Sequence, residues 1–207
     1  MVRTARKRAA AGLAAVFLVL APAPGTAGGE VEPAAFVERL LADVVNNLAA
    51  EGERRELRAR FREMSGTYLA FDRITRFVTG DYWTRASAEQ RAAFREAFRH
   101  LLRARFLPVL KKAGDVQFDL AGSRTVRDGL WQVGVYVRQA GPKAEVTRVG
   151  LRVLQTPEGL RVADVVTKGV SLGVTLREEY TSFLARHDGD MTALTARVRE
   201  RARKLES

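Results

Sequence analysis

The feature that most constrains this chain is a change in the spacing of its apolar residues. Up to Leu110 they recur every three or four residues, which is the period of an amphipathic helix. From Val116 to Val166 they alternate with polar residues, as in half-buried strands, and around Leu176 the helical spacing returns. The pattern therefore predicts a single α+β domain in which an antiparallel sheet follows one group of helices and precedes another.

The longest helix is predicted to begin after Ser87, which has Gln90 three residues later and so matches a capping box. Pro108 is expected to kink or end this helix in its last turns. The apolar stripe consists of Phe94, Phe98, Leu101, Leu102 and Phe106. An ordinary core helix with a solvated, arginine-rich back is the simplest interpretation of this segment taken alone.

Three further helices are predicted upstream. The first begins near Pro33 and carries two rows of apolar residues at steps of four. The second, residues 51–64, is dense in charge but keeps Leu57, Phe61 and Met64 on one side, so we expect it to lie on the surface. The third is short, with Asp72 as its expected N-cap and Gly80 as its end.

About four strands are predicted after the long helix. Alternating apolar residues mark them at 116–120, 131–137, 149–153 and 160–166. Turns are expected at Gly141-Pro142 and at Thr156 to Gly159, because proline and glycine stand at favourable turn positions. Such closely spaced strands indicate an antiparallel meander. The last two are apolar on both faces in places, so we expect one face of the sheet to pack on helices and part of the other face to enclose something apolar.

Residues 1–27 are predicted to be a secretory signal peptide. Four basic residues and no acid precede an apolar run, Ala9 to Ala21, that is too short to span a membrane, and small residues follow it. Cleavage is favoured after Ala27, which leaves residues 28–207 as one domain of periplasmic location. No Cys follows the apolar run, which argues against a lipid-anchored lipoprotein.

The charge of the chain favours anionic surfaces. Its formal net charge is +11, and removal of the four basic residues of the leader would lower this to +7. Transient contact with phospholipid headgroups is consistent with such a charge, whereas nucleic acid is not an expected partner of an exported protein. The absence of Cys excludes disulfides and thiolate zinc sites.

The sequence lacks the constellations that enzymes use. His100 and His187 are its two histidines, both among charged neighbours, and there is no nucleophile elbow, phosphate loop or dinucleotide fingerprint. No His/Glu spacing suggests a metal site. Asp164, flanked by valines, is a candidate buried acid. The arginines that are candidates to pair with it are Arg105, Arg148 and Arg152.

Two segments together resemble a known family. The first is Gly80 to Phe98, GDYWTRASAEQRAAFREAF, and the second is Asp164 to Leu172, DVVTKGVSL. With the predicted leader, they are similar to the toluene-tolerance family of MlaC-type periplasmic phospholipid-binding proteins. The likeness extends over the chain that follows the leader. A subgroup associated with hopanoid biosynthesis is also similar.

The resemblance implies an NTF2-like fold, with a helical layer on a curved antiparallel sheet and an apolar cavity for lipid tails. It implies a soluble, monomeric carrier that moves phospholipid between an outer-membrane lipoprotein/porin complex and an inner-membrane ABC transporter with an MCE-type subunit. The carrier would need no cofactor other than its cargo. Alternatives are a carrier of hopanoid or other isoprenoid lipid, an NTF2-like enzyme with Asp164 as base, and an adaptor that carries nothing.

The resemblance also provides candidate lipid-binding residues. Those placed by matched motifs at or near the pocket and its mouth are Arg91, Phe106, Arg148 and Val170. Arginines there would meet the anionic headgroup. The other candidates are apolar residues of the long helix, of the segment before it and of the strands: Trp83, Phe94, Phe98, Leu102, Val135 and Leu151. The alternative is that these side chains fill a solid core, which periodicity does not distinguish from a hollow one.

Overall fold

The computed structural model describes residues 32–48, 54–112, 115–139 and 146–206. The predicted signal peptide and the turn at Gly141-Pro142 lie outside these ranges. The helices are α1 (Pro33–Leu48), α2 (Arg54–Tyr68), α3 (Phe71–Thr79), α4 (Tyr82–Arg85), α5 (Ala88–Leu110), α6 (Leu172–Ala185) and α7 (Met191–Glu206). The strands are β1 (Val116–Arg127), β2 (Leu130–Gln139), β3 (Val146–Thr156), β4 (Gly159–Thr167) and β5 (Val170–Ser171).

The strands form one antiparallel sheet in chain order, β1-β2-β3-β4-β5. Val133 pairs with Leu151, and Leu151 pairs in turn with Val165. The predicted α+β fold, with helices packed on an antiparallel meander, is confirmed. The fifth strand is a two-residue addition that follows the turn at Lys168 and Gly169.

Three bulges interrupt the strand pairing, two in β1 and one in β4. In β1 the pairing register shifts between Leu120 and Ser123, around Gly122, whose φ is +87°, and again between Thr125 and Arg127. The strand therefore continues well beyond its predicted end. In β4, Val162 and Asp164 pair with consecutive residues of β3, so Ala163 is an extra residue. Bulges increase local twist and redirect side chains. The bulge in β4 lies where the strand meets the helices.

Helix α5 begins as its sequence predicts. Ser87 Oγ accepts a hydrogen bond from the backbone N–H of Gln90, and Gln90 Oε1 accepts one from the backbone N–H of Ser87. The helix ends at Leu110, two residues after Pro108. The capping box is therefore confirmed, and it fixes the start of the helix that contributes most to the core.

One prediction about the upstream helices is wrong. Asp72 does not cap α3, because the helix begins at Phe71 with Ala70 at its N-cap. Asp72 instead lies in the first turn, 3.0 Å from a guanidinium nitrogen of Arg95. Helix α2 agrees with its prediction, since its apolar side is packed inward and Leu57 is almost fully buried. The charges of α2 occupy its outer face only.

Buried apolar residues form two separate clusters. The helical core is built from α3 to α7 and contains the stacked rings of Phe94 and Phe98, with the Tyr180 ring edge-on to both. The sheet core is built from α1 and β2 to β4 around Val37 and Val133. None of the helices in the described ranges has the length and apolar character needed to cross a bilayer.

Candidate functional site: an apolar cavity between two cores

A cavity of about 230 Å³ lies between the helical core and the sheet core. Phe98 and Leu102 of the helical core and Val162 of the sheet core are part of its wall. The helices contribute Leu40, Leu41, Val44, Phe61, Met64, Ser65, Tyr68, Ile74, Phe98, Leu102, Phe106, Leu110, Leu172, Gly173 and Leu176. The strands and the junction before α3 contribute Leu69, Phe118, Leu151, Val162, Ala163, Asp164 and Val165. The wall is therefore almost entirely apolar.

The hydroxyl groups of Ser65 and Tyr68 in the wall form hydrogen bonds with other groups of the protein. Ser65 Oγ donates to the carbonyl oxygen of Phe61 at 2.6 Å, within its own helix. Tyr68 Oη donates to a carboxylate oxygen of Asp43, which joins α2 to α1. Burial, together with this hydrogen bond to Asp43, raises the pKa of Tyr68 to about 12. Neither hydroxyl presents a free hydrogen-bonding group to the cavity.

Asp164 is the carboxylate of the wall, and its side chain is only 9% exposed. Oδ1 accepts hydrogen bonds from the backbone N–H groups of Val165 and Gly173, both at 2.8 Å. Oδ2 accepts one from Ser171 Oγ at 2.6 Å and lies 3.3 Å from Arg152 Nη1. Of the three candidate arginines, Arg152 is the partner. The Asp164 carboxylate thus positions the backbone at Val165 and Gly173 and pairs with the Arg152 guanidinium. A general base would instead have an oxygen free to accept a proton from a substrate.

Four of the ten predicted site residues lie together in the wall. They are Phe98, Leu102, Phe106 and Leu151. The three from α5 follow one another along a single face of the helix, and Leu151 faces them from the centre of the sheet. Their position between the two cores is where an apolar ligand would be surrounded on several sides.

Trp83, Phe94 and Val135 are buried outside this wall. Trp83 and Phe94 belong to the helical core, where their rings meet edge to face with centroids 6.3 Å apart. Val135 belongs to the sheet core. These side chains belong to the packed cores on either side of the cavity and do not line it.

The Arg91 side chain binds backbone carbonyl oxygens. Its Nε donates to the carbonyl oxygen of Trp83 and its Nη2 to that of Thr84, both at 2.9 Å. The guanidinium also lies 5.9 Å from the centre of the Trp83 ring. Arg91 thus fastens the short helix α4 to the start of α5.

Arg148 and Val170 lie on the surface. Arg148 is an exposed residue of β3 whose guanidinium lies 5.9 Å from the centre of the Tyr136 ring. Val170 is 61% exposed at the start of β5. The structure does not bring either side chain to the cavity wall.

The wall also contains residues that sequence reasoning did not assign to the site. Leu40, Leu41 and Val44 of α1, together with Phe61 and Met64 of α2, close one side of the cavity. Their helical spacing is visible in the sequence, but it indicates only an apolar face. The sequence places Leu57, Phe61 and Met64 on one side of α2, but this pattern does not distinguish a cavity wall from a packed core.

No cluster of three or more His, Asp or Glu side chains in the described ranges could hold a metal ion.

The fold and the cavity define a class of protein: an α+β domain that encloses apolar space between a helical layer and an antiparallel sheet. The family model for the MlaC protein matches residues 35–200, and the chain therefore belongs to the MlaC family. This confirms the resemblance seen in the two sequence motifs.

A solved structure shares the fold. It is a phospholipid-binding protein from Ralstonia solanacearum, determined in complex with a phospholipid. The TM-score is 0.68, the sequences are 20% identical, and the match covers 84% of this chain and 98% of that chain. No curated protein matches this chain.

Proposed function

We propose that this protein is a soluble periplasmic carrier that holds the acyl chains of a phospholipid in the cavity between its two cores. The observation that carries the proposal is an almost wholly apolar cavity in a member of the MlaC family. The phospholipid in the related Ralstonia protein supports the same choice of ligand. The anionic headgroup would remain in solvent at the mouth.

The free energy of removing acyl chains from water is consistent with a carrier role. Each methylene removed from water contributes about 0.8 kcal/mol, so a free acyl chain does not cross an aqueous compartment at a useful rate. The apolar wall of the cavity would replace water around such a chain. Because the lipid would bind the folded protein and not the unfolded chain, it should also stabilise the fold.

A carrier gains nothing by binding lipid much more tightly than a bilayer does, because it must release it. The proposed cycle loads and unloads phospholipid at an outer-membrane lipoprotein/porin complex and an inner-membrane ABC transporter with an MCE-type subunit. Export by the predicted signal peptide would place residues 28–207 between the two. Catalysis is not part of the proposal, since Asp164 is engaged by three hydrogen-bond donors and an ion pair.

Mass spectrometry of lipid extracted from protein purified without detergent tests the proposal. Two neighbouring residues of β4 provide a matched pair. Val165 lines the cavity, whereas Val166 does not and pairs with Gly150. Val165→Phe should fill the cavity and lose most of the lipid. Val166→Phe adds the same ring on the same strand and should retain it.

Near-stoichiometric phospholipid in the wild type and in Val166→Phe, with little in Val165→Phe, is the expected result. A hopanoid or other isoprenoid in the extract would preserve the carrier and change its cargo. Extracts free of lipid would contradict the proposal and favour an adaptor. Equal lipid content in both variants would place the lipid elsewhere than in the cavity.

A further inference from the structure

Three exposed apolar side chains lie beside the cavity wall, where α3 ends and α6 begins. Phe77, Val170 and Val174 are among the few large apolar residues that are exposed in the described ranges. The Phe77 ring lies 3.4 Å from the position that a Cβ on Gly173 would take, and Gly173 itself lines the cavity. The exposed Phe77 ring is therefore a close neighbour of a residue of the cavity wall.

Three cations belong to the same elements as these apolar side chains or to the adjoining turn. Arg73 and Arg76 share one face of α3 with Phe77, because the three residues are spaced by three and four positions. Lys168 occupies the tip of the turn between β4 and β5, two residues before Val170. No ion pair in the described ranges includes any of these three cations. We call the six residues Arg73, Arg76, Phe77, Lys168, Val170 and Val174 the basic rim.

Arg177 of α6 contacts Phe77 of the rim in two ways. Its Nη1 donates to the carbonyl oxygen of Phe77, and its guanidinium lies 5.1 Å from the centre of the Phe77 ring. This contact joins the exposed faces of α3 and α6. Glu178 is an exposed acid of the adjoining turn of α6, and the rim still has an excess of positive charge.

We propose that the basic rim docks the protein on an anionic phospholipid surface. This inference rests on the proposed function, because it places the wall of a lipid cavity against the bilayer with which lipid is exchanged. Exposed apolar side chains next to Arg and Lys match the chemistry of a membrane interface. The apolar side chains would insert at the boundary of the acyl region, and the Arg and Lys side chains would bind lipid phosphate groups. The cations of the rim complement such a surface because no acid among the described residues forms an ion pair with them.

Sedimentation with vesicles tests the inference. Vesicles of phosphatidylcholine containing phosphatidylglycerol are compared with vesicles of phosphatidylcholine alone, using the purified chain with its co-purified lipid. The rim variant is R73Q/R76Q/K168Q. Its control, R55Q/R62Q/R199Q, removes the same charge from exposed positions on α2 and α7. The lipid content of each protein is measured in parallel by extraction.

Each cation near an anionic leaflet contributes about fivefold to partitioning, so the rim variant should bind anionic vesicles at least tenfold more weakly than the wild type. The control should bind within about threefold of the wild type, and both variants should keep their lipid. Equal weakening of both variants, or no vesicle binding by the wild type, would overturn the docking surface. If the wild type still contained phospholipid in that case, the proposed carrier function would stand and a protein partner would become the better occupant of the rim.

Discussion

The carboxylate of Asp164 accepts a hydrogen bond from the backbone N–H of Gly173 at 2.8 Å, which ties the last long strand of the sheet to the first turn of α6. A Cβ on Gly173 would lie only 3.1 Å from Asp164 Oδ1, so a glycine permits this close approach. Leu172, Gly173 and Leu176, in the first two turns of α6, all line the cavity. One buried acid therefore positions a section of the wall.

Asp164→Ala should destabilise the protein by about 2–4 kcal/mol, because it removes a buried acceptor and leaves Arg152 and the backbone donors without their partner. Urea unfolding measures the loss. Asp119→Ala is the control, since Asp119 forms an exposed pair with Arg138 and its removal should cost less than about 1 kcal/mol. Equal effects of the two substitutions would show that Asp164 does not hold this junction.

Arg91→Ala is expected to lower stability by about 1–3 kcal/mol while the folded protein keeps its lipid, because the guanidinium bonds backbone carbonyls of α4. Arg91→Lys should restore little, since an ammonium does not reproduce the two-pronged geometry. Thermal unfolding and lipid extraction on the same samples give both quantities. Loss of lipid at unchanged stability would instead place Arg91 at the headgroup.

Two predicted site residues give opposite expectations for an introduced charge. Leu151→Glu places a carboxylate in the cavity wall and should expel the acyl chain, because burying an unpaired charge is costly. Val170→Glu places the same group on the surface and should leave the lipid content unchanged. Lipid extraction from the two proteins, with circular dichroism to verify folding, checks both outcomes. Loss of lipid in Val170→Glu alone would reverse the assignment of the wall.

Stability at alkaline pH should depend on Tyr68. Its pKa in the folded protein, about 12, lies above the ordinary value of 10.0 because of burial and the hydrogen bond to Asp43. The neutral phenol therefore contributes stability that is fully present below about pH 10 and is lost as pH rises through about 12. The difference in free energy of unfolding between the wild type and Tyr68→Phe should shrink over that window. A difference that stays constant with pH would contradict the raised pKa.

Local signals predicted much of this fold, because they act within a few residues. The capping box at Ser87 fixed the start of α5, and alternation placed the strands. The extension of β1 beyond Leu120 was missed, since the bulge at Gly122 interrupts the period of two. Asp72 was misassigned because its carboxylate has a tertiary partner in Arg95, which no local pattern reveals.

The site was less accessible to sequence reasoning. Helical spacing puts Phe94 and Phe98 on one stripe of α5, yet only Phe98 lines the cavity, whereas Phe94 packs among Trp83 and Tyr180. An apolar stripe shows that a face is buried but not whether the space in front of it is filled. That information depends on contacts between distant elements, such as α1 and α2 against the sheet.

Photocrosslinking with a phospholipid that carries a diazirine on its acyl tail tests the central claim most directly. If the space between the two cores holds the tail, labelled residues should come from the cavity wall, with Phe61, Leu102 and Val162 as sites on α2, α5 and β4. Val165→Phe should reduce this labelling, and Val166→Phe should not. Labels confined to the outer surface, or to the packed rings around Trp83 and Tyr180, would contradict it.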